Sequence, residues 1–438
     1  MEPLAAGLAL TAFLVVFLGL GVWIFAGIML VSAAGLYLLL GMDLSRVGSI
    51  AASISYRSAA TWELAAVPLF IWMAELIFRS DVSDRLFRGL IPFVDRVPGR
   101  LLHTNVLGCT LFAAVCGSSA ATTATVGKIT MGELVRRGYD QNIAVGSLAG
   151  AGSLGLLLPP SIAMIIYGVL AEVSISRLFA AGVMPGLLVA GLYSGYIVVM
   201  AWLRPGIAPE GASRFKLRDY GVAVLNLLPI FFLMGIVLGA IYSGLATPSE
   251  AAAVGVFAAF ALLTLTGQMR FALIRDSLMA TVRTSAMVCM ILVSASFLST
   301  TLGYLHLPQE LGAAIAAMHL DPIGLIMILS IFYLVLGIFV EGVAIIVMTL
   351  PMTLPLALAA GFDPVWYGVF LVLMVEIGLI TPPLGINLFI LQGMSGWSLW
   401  RVSRACGPFF VLFCLAVLLL VMFPQIALWL PNLLYGKP

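Results

Sequence analysis

The sequence predicts an all-α polytopic membrane protein that contains an inverted repeat with two re-entrant hairpins and two proline-broken helices. Hydrophobic residues make up 62% of the 438 residues and charged residues only 9%, whereas about a quarter of the residues in soluble domains are charged. In addition, residues 117–160 align without a gap with residues 340–383, with matched Gly-x-Asp, Gly-Leu and Pro-Pro motifs. We therefore interpret the two stretches as copies of one membrane unit.

Apolar runs long enough to cross a hydrocarbon layer of about 30 Å recur along the chain. Residues 4–40 predict two spans with a short turn at Gly19-Leu20-Gly21, and a third span follows near 60–78. Residues 82–97 separate apolar from charged side chains, which indicates a helix lying in the membrane interface. The predicted division is residues 1–60 as N-terminal scaffold helices, 61–203 as the first inverted repeat, 204–283 as a connecting loop with scaffold helices and an interfacial arm, and 284–438 as the second inverted repeat with a C-terminal span near 407–424.

Each repeat is predicted to contain one hairpin and one broken helix. In the first repeat, Cys116-Gly117-Ser118-Ser119 interrupts the apolar stretch at about 104–135, and Pro159-Pro160 interrupts the helix at about 141–170. The halves are too short to cross comfortably, so a re-entrant hairpin fits better. In the second repeat, the corresponding elements are a hairpin at about 322–357, which turns at Glu341-Gly342, and a broken helix at about 365–392. Full spans are predicted near 179–203, 221–243, 247–266 and 284–302, with an interfacial helix at 267–283 and an amphipathic stretch at 307–318.

The basic residues predict the orientation of the two copies. If the N-terminus lies outside, five loops that carry 17 of the 21 Lys and Arg residues face the cytoplasm, as the positive-inside rule requires. These loops are 79–103, 128–140, 204–218, 267–283 and 393–405. An odd number of complete spans then separates the two hairpins, so the second copy is inverted relative to the first.

The two proline doublets point to an ion site. Helix breaks at membrane depth persist where they line a cavity enclosed by protein, because unpaired backbone groups there cannot reach water. Proline removes an N–H and displaces the carbonyl four residues earlier, so the carbonyls at 155–158 and 378–381 are predicted to be free. Free carbonyls and small hydroxyls suit Na⁺, and half-helix N-termini suit a carboxylate. A single break is equally compatible with a kink in a packed span, but two equivalent breaks opposite two hairpins favour a binding site.

Few polar residues lie near the breaks. Ser118 and Ser119 follow the first hairpin tip and are assigned to the site, whereas Thr122 and Thr125 are expected to bond to their own helix backbone. Glu341, at the second tip, and Glu376, just before the second break, are the acidic residues predicted to lie deepest. Buried carboxylates in membrane segments are functional candidates, and for Glu341 a local cap is the alternative.

Other classes of protein receive little support from the sequence. Gly393-Met394-Ser395-Gly396 matches the G-x-S-G of intramembrane serine proteases, but no His follows Ser395 to act as the base, so we predict that the chain is not an enzyme. The five cysteines lack C-x-x-C spacing, which argues against a redox or metal centre. No nucleotide-binding loop is found, which disfavours an ATP-driven pump. No nucleic-acid partner is predicted, although the formal net charge of only +2 argues neither for nor against an anionic partner.

Motifs spread over nearly the whole chain carry a close resemblance to one family. They are Val67-Pro68-Leu69-Phe70, Gly117-Ser118-Ser119-Ala120 through Gly127, Arg137-Gly138-Tyr139-Asp140, Leu158-Pro159-Pro160-Ser161, Thr247-Pro248-Ser249-Glu250-Ala251-Ala252-Ala253, Gly361-Phe362-Asp363-Pro364, and Gly378-Leu379-Ile380-Thr381-Pro382-Pro383-Leu384-Gly385. Together they resemble the large membrane (permease) subunit of tripartite ATP-independent periplasmic (TRAP) transporters.

The resemblance implies an elevator-type, ion-transporter-like fold in the bacterial inner membrane, with Na⁺ as the coupling ion and a small carboxylate as the imported substrate. It also implies two protein partners within and beside the lipid bilayer, a small four-helix membrane subunit and a periplasmic substrate-binding protein. Carried onto this sequence, the Na⁺ sites fall on Ser118, Ser119, Gly155, Leu158 and Pro159, and on Gly337, Gly378, Thr381 and Pro382. Ser161, Glu341 and Asn387 are predicted to bind the substrate. A stand-alone Na⁺/carboxylate symporter that needs no binding protein and a passive channel are the alternatives.

Overall fold

The computed structural model describes residues 3–209, 215–317, 321–382 and 385–436. Within these ranges the regular elements are all helical. Six of the described helices are long and apolar enough to cross a membrane, or seven if the bent pair at residues 44–59 and 62–78 counts as one span. The protein is therefore a polytopic, all-helical membrane protein.

Five helices precede the first predicted hairpin. They are α1 (Pro3–Gly19), α2 (Ile24–Ala34), α3 (Leu44–Ala59), α4 (Ala66–Phe78) and α5 (Val82–Val94). The chain turns between α1 and α2 at Gly21, whose φ of 76° lies in the left-handed region that glycine adopts without steric cost. A bend of 59° separates the segment of α3 from that of α4, so these two helices do not form one straight span.

The first repeat contains two helix pairs, each divided by a short non-helical segment. The helices are α6 (Leu102–Cys116), α7 (Ser119–Arg136), α8 (Gln141–Gly152) and α9 (Ile162–Ala171). Gly117 ends α6 with a left-handed φ of 59°, and the Ser118 hydroxyl caps α7. Pro159-Pro160 lacks the amide hydrogens that would continue α8, and the Ser161 hydroxyl caps α9.

Five helices lie between α9 and the second predicted hairpin: α10 (Ile175–Leu203), α11 (Leu217–Tyr242), α12 (Pro248–Leu265), α13 (Phe271–Tyr304) and α14 (Leu307–Ala317). The sequence predicts an interfacial helix at 267–283 and a separate span at 284–302, but α13 is one continuous helix of 34 residues. Charged residues give its first turns an amphipathic character, yet no Gly or Pro occurs before Gly303 to end the helix. The predicted boundary at residue 283 therefore cuts through a helix.

The second repeat has the same order of elements as the first. Its helices are α15 (Pro322–Phe339), α16 (Gly342–Ala359), α17 (Pro364–Leu379) and α18 (Ile386–Ser395), and α19 (Leu399–Met422) and α20 (Gln425–Tyr435) follow. Of the four described helices α15–α18, α16 is the one that is long and apolar enough to cross a membrane by itself. That the helix pairs α6–α7 and α15–α16 re-enter the membrane stays a prediction.

The two repeats pack across each other. The first helix of each pair lies on the first half of its own broken helix, α6 on α8 and α15 on α17. The second helix of each pair also contacts the second half of the broken helix from the other repeat, α7 on α18 and α16 on α9. This exchange of contacts has the two-fold character expected of a duplicated unit.

The centre of the core is α17. Every residue from Val365 to Leu379 is buried, as expected for a helix that is apolar all round and surrounded by protein. Trp366 stacks between Phe362 and Phe370, with ring centroids 4.9 and 5.6 Å apart. A polar side chain on this helix is therefore held in a dry, closely packed environment.

Loops that the charge count predicts to be cytoplasmic contact one another at one end of the molecule. The hydrogen bonds join Asp81 to Gln268, Arg100 to Pro209 and Asp140 to Ile207. At the other end, Ser249 donates to the Trp62 carbonyl at 3.2 Å. The grouping of the basic loops agrees with the predicted orientation.

Replacement of Gly337 by Ala is expected to destabilise the protein. A Cβ at Gly337 would lie 2.5 Å from the Cα of Gly378, so α15 would have to move away from α17 at a cost of about 1–3 kcal/mol. Thermal unfolding of the purified variant in detergent should show a lower midpoint. Gly191→Ala on α10 is the matched control, because its Cβ would meet no atom within 4 Å; equal midpoints for the two variants would contradict the close packing of α15 on α17.

Candidate cation and substrate site

The first hairpin tip and the first helix break touch through their backbones. A Cβ built on Gly155 would lie 2.4 Å from the Cα of Ser119, and one built on Gly117 would lie 2.8 Å from the Pro160 carbonyl oxygen. Only glycine permits such approaches. The structure thus places the first group of predicted Na⁺ residues on two segments that are in contact: Ser118, Ser119, Gly155, Leu158 and Pro159.

The second group also lies on contacting segments. Gly337 of α15 meets Gly378 of α17 at backbone distance. The Thr381 hydroxyl donates to the Ile377 carbonyl at 2.7 Å, which leaves its oxygen lone pairs available to a cation. Pro382 is exposed, whereas Pro383 and Leu384 lie outside the described residues.

The carbonyls of Gly155 and Leu158 at the first break agree with the sequence prediction, whereas those at the second break differ from it. At the first break, no donor among the described residues reaches the carbonyls of Gly155 or Leu158. At the second, the predicted free carbonyl of Gly378 accepts from the Thr381 amide at 3.1 Å, and the Thr381 carbonyl accepts from Gly385 at 3.1 Å. Pro382 removes the amide that would bond to Gly378 in a continuous helix, and the amide one residue earlier takes its place. Each carbonyl keeps one further lone pair, so the second break is a weaker set of ligands than predicted.

Glu376 is the residue that sequence reasoning left out of both groups. Its side chain is fully buried on α17. Its Oε1 accepts a hydrogen bond from the Ser119 hydroxyl at 2.5 Å and another from the Leu156 amide at 2.6 Å. A residue of the second repeat is thereby bonded to the tip and the break of the first. The sequence signal was a single acidic residue in an otherwise apolar helix, but the partners lie more than two hundred residues away.

Hydroxyl groups on α7 behave in two ways. Thr125 donates to the Ala121 carbonyl at 2.8 Å, so the predicted bond to its own helix is confirmed. The same prediction is wrong for Thr122, whose buried hydroxyl has no partner among the described residues, and Thr123 shares this property. Buried polar groups without partners are rare in proteins, so Thr122 and Thr123 join the candidate residues of the site.

The three predicted substrate residues have different surroundings. The Ser161 hydroxyl accepts from the Met164 amide at 3.3 Å and donates to the Leu156 carbonyl. Glu341 caps α16 by accepting from the Ala344 amide at 3.3 Å, which is the local role that the sequence left open. Asn387 is fully buried near the start of α18, and neither its amide oxygen nor its amide nitrogen has a partner among the described residues. Asn387 is thus the member of this set whose polar atoms remain available.

Three helix N-termini meet around the first break. α7 begins at Ser119 beside Gly155, and α9 begins just after the Pro160 carbonyl that faces Gly117. α16 begins at Gly342, where a Cβ would lie 3.5 Å from Leu156. The fourth, α18, begins at the second break, next to Gly385, where a Cβ would lie 2.6 Å from the Leu379 carbonyl. Helix N-termini carry partial positive charge and unpaired N–H groups, so the centre can attract an anion.

Comparison with known families identifies this architecture. The family described as "Tripartite ATP-independent periplasmic transporter, DctM component" matches residues 11–426. That match covers nearly the whole chain. The chain belongs to this family.

Individual TRAP relatives agree over most of their length. The C4-dicarboxylate TRAP transporter large permease protein DctM of Pseudomonas aeruginosa is 34% identical over 378 residues, which cover 86% of this chain and 88% of the relative. The ectoine/5-hydroxyectoine TRAP transporter large permease protein UehC of Ruegeria pomeroyi is 32% identical and covers 85% of this chain and 87% of its own. The protein is accordingly a TRAP large permease and a multi-pass protein of the bacterial inner membrane.

The fold also resembles that of a solved transporter whose sequence is only distantly similar to this chain. The crystal structure of the YdaH transporter of Alcanivorax borkumensis aligns with a TM-score of 0.60 at 15% identity and covers 90% of each chain. At this identity the likeness concerns the fold alone.

Replacement of Ser119 by Ala is expected to destabilise this TRAP permease more than the loss of another hydroxyl on the same helix. The variant leaves the buried Glu376 carboxylate with one donor instead of two, at a cost of about 1–3 kcal/mol. Thermal unfolding in detergent measures the difference. Thr125→Ala is the control, since that hydroxyl bonds only to its own helix; if both variants unfold at the same temperature, the Ser119–Glu376 bond does not hold the repeats together.

Proposed function

We propose that this chain is the permease subunit of a Na⁺-coupled TRAP system that imports an organic acid by an elevator mechanism. The observation that carries the proposal is the meeting of three helix N-termini with the unpaired carbonyls of the first break. One centre then offers oxygen ligands to a desolvated cation and N–H dipoles to a carboxylate. Such a centre suits the symport of both.

The two groups of Na⁺ residues set an energetic expectation. One Na⁺ that moves down a tenfold gradient contributes about 1.4 kcal/mol, and a membrane potential adds about 2.3 kcal/mol per 100 mV. Two Na⁺ cancel the charge of a dianion, so the voltage contribution disappears. The Na⁺ gradient alone then supports roughly a hundredfold accumulation of the acid.

The helices form two main packing groups, joined by contacts of α13 with α16 and of α4 with α6, and this grouping supports the elevator mechanism. The helices α6–α9 and α15–α18 pack across the repeats, whereas α2, α3 and α4 pack against α13. A cavity of about 820 Å³ lies between these groups. Its lining includes Arg57, Trp62, Thr247 and Ser299 on one side and Glu172 and Leu354 on the other. The cavity leaves room for one group to move against the other.

Family membership supports the proposed partners and substrate class. The relatives named above carry a C4-dicarboxylate and an ectoine in their names, although their sequences are similarly close to this chain. Selection of the solute by a separate periplasmic binding protein explains this spread. We propose that a small four-helix membrane subunit completes the scaffold in the lipid bilayer, and that the solute is a small carboxylate.

Reconstitution tests the proposal. Liposomes that contain this chain and its small subunit, supplied with the cognate binding protein, should take up radiolabelled succinate or ectoine only when an inward Na⁺ gradient is imposed. Replacement of Na⁺ by choline should reduce uptake to the level of empty liposomes, and uptake that persists in choline contradicts Na⁺ coupling. Uptake by this chain alone would instead identify a stand-alone symporter.

Thr381→Ala is expected to weaken the activation of transport by Na⁺. Loss of one oxygen ligand should raise the half-saturating Na⁺ concentration about two- to tenfold, while Thr381→Ser should retain most of the affinity. The Na⁺ dependence of initial uptake rates measures the effect. Thr264→Ala is the matched control, because the Thr264 hydroxyl makes the same kind of helix bond, to the Phe260 carbonyl at 2.8 Å, on the distant helix α12. An unchanged Na⁺ dependence would remove Thr381 from the site.

A further inference from the structure

Glu376 lies where both hairpin tips and the first break come together. Its Oε1 is bonded to Ser119 of the first tip and to Leu156 of the break. The preceding residue, Val375, lies 2.6 Å from the position of a Cβ built on Gly342, the first residue of the helix that follows the second tip. The carboxyl group is therefore at the contact between the repeats, yet it belongs to neither predicted group of Na⁺ residues.

The second oxygen of this carboxyl group has no partner. Oε2 is buried and receives no hydrogen bond from any described residue. None of the ion pairs between described residues includes Glu376. Both donors to Oε1 are neutral groups, so an ionised carboxylate here would have no positive partner, which is strongly unfavourable in a dry interior.

A simpler role does not account for this arrangement. As a hydrogen-bond acceptor for Ser119 and Leu156, a glutamine would serve equally well through its amide oxygen and would bring no charge. Protonation of Oε2 would also remove the charge, and the number of Na⁺ ions bound per chain distinguishes a proton from a cation. A monovalent cation at Oε2 compensates the charge and supplies the missing contact, as expected for a hard cation with an oxygen ligand.

We infer that the Glu376 carboxylate binds a monovalent cation through Oε2, at a third ion site between the repeats. This inference rests on the proposed function in that we take the cation to be the coupling ion, Na⁺. The site is separate from the Gly155 carbonyl of the first break, because a trans peptide directs its C=O and N–H to opposite sides. The Leu156 amide that points at Glu376 thus directs the Gly155 carbonyl away from it.

The third site changes the charge that each transport cycle moves. Two cations balance a dianion, whereas three leave one net positive charge that follows the inside-negative membrane potential. Uptake of a dianion by the wild-type protein should therefore accelerate when the interior is made negative. With Glu376→Gln the third cation is lost, and uptake of the same dianion becomes insensitive to the potential.

Binding of radiolabelled Na⁺ to the purified permease with its small subunit tests the inference without a substrate. Compared with the wild type, Glu376→Gln should bind one Na⁺ fewer per chain, or bind it with a Kd raised at least about 30-fold. Glu376→Asp keeps the charge and should retain the number of bound ions with an intermediate Kd. Glu310→Gln is the matched control on an exposed glutamate of α14 and should bind as the wild type does.

The outcomes separate this inference from the proposed function. A Glu376→Gln protein that binds the same number of Na⁺ ions with the same Kd overturns the third site and leaves Na⁺ coupling intact. A Glu376→Asp protein that loses the ion as fully as Glu376→Gln also counts against a charge-based site. If the wild type itself binds no Na⁺, both the third site and Na⁺ coupling are wrong. The melting midpoint of each variant establishes that the compared proteins are folded.

Discussion

Backbone N–H and C=O groups cannot be left unpaired in hydrocarbon, and this constraint governs the centre of the molecule. Two hairpin turns and two proline breaks interrupt helices that lie among other helices. Their backbone groups must be satisfied by protein or by a ligand. The rest of the architecture, including the crossed packing of the repeats, encloses these four interruptions.

Glycines and capping side chains satisfy most of the backbone groups at these four interruptions. Gly155 and Gly117 let the first tip and the first break approach at backbone distance, while Ser118, Ser161 and Glu341 cap the helices that begin there. These groups satisfy the helix ends with local partners. The carbonyls of Gly155 and Leu158 are not satisfied in this way, and they are the oxygens that a cation can use.

The two repeats do not contribute equally to the site. At the second break, the Thr381 amide donates a hydrogen bond to the Gly378 carbonyl. The two breaks have similar sequences but do not offer the same free carbonyl oxygens. The second repeat instead contributes Glu376, which reaches across to the first repeat. A duplicated unit has thus diverged into one half that supplies backbone oxygens and another that supplies a carboxylate. Both halves meet at one place, through the bonds of Glu376 to Ser119 and Leu156.

The sequence by itself determined the membrane class, the duplication, and the positions of the hairpin turns and proline breaks. These properties depend on composition and on the local chemistry of proline and glycine. Only the tertiary structure decided that α13 continues through residue 283. It also decided that Thr125 bonds to its own helix whereas Thr122 has no partner among the described residues. Finally, it decided that Glu376 bonds to Ser119 and Leu156. The physical reason is distance along the chain. Glu376 and Ser119 are 257 positions apart, and no local pattern specifies which buried groups will meet once the repeats have packed together.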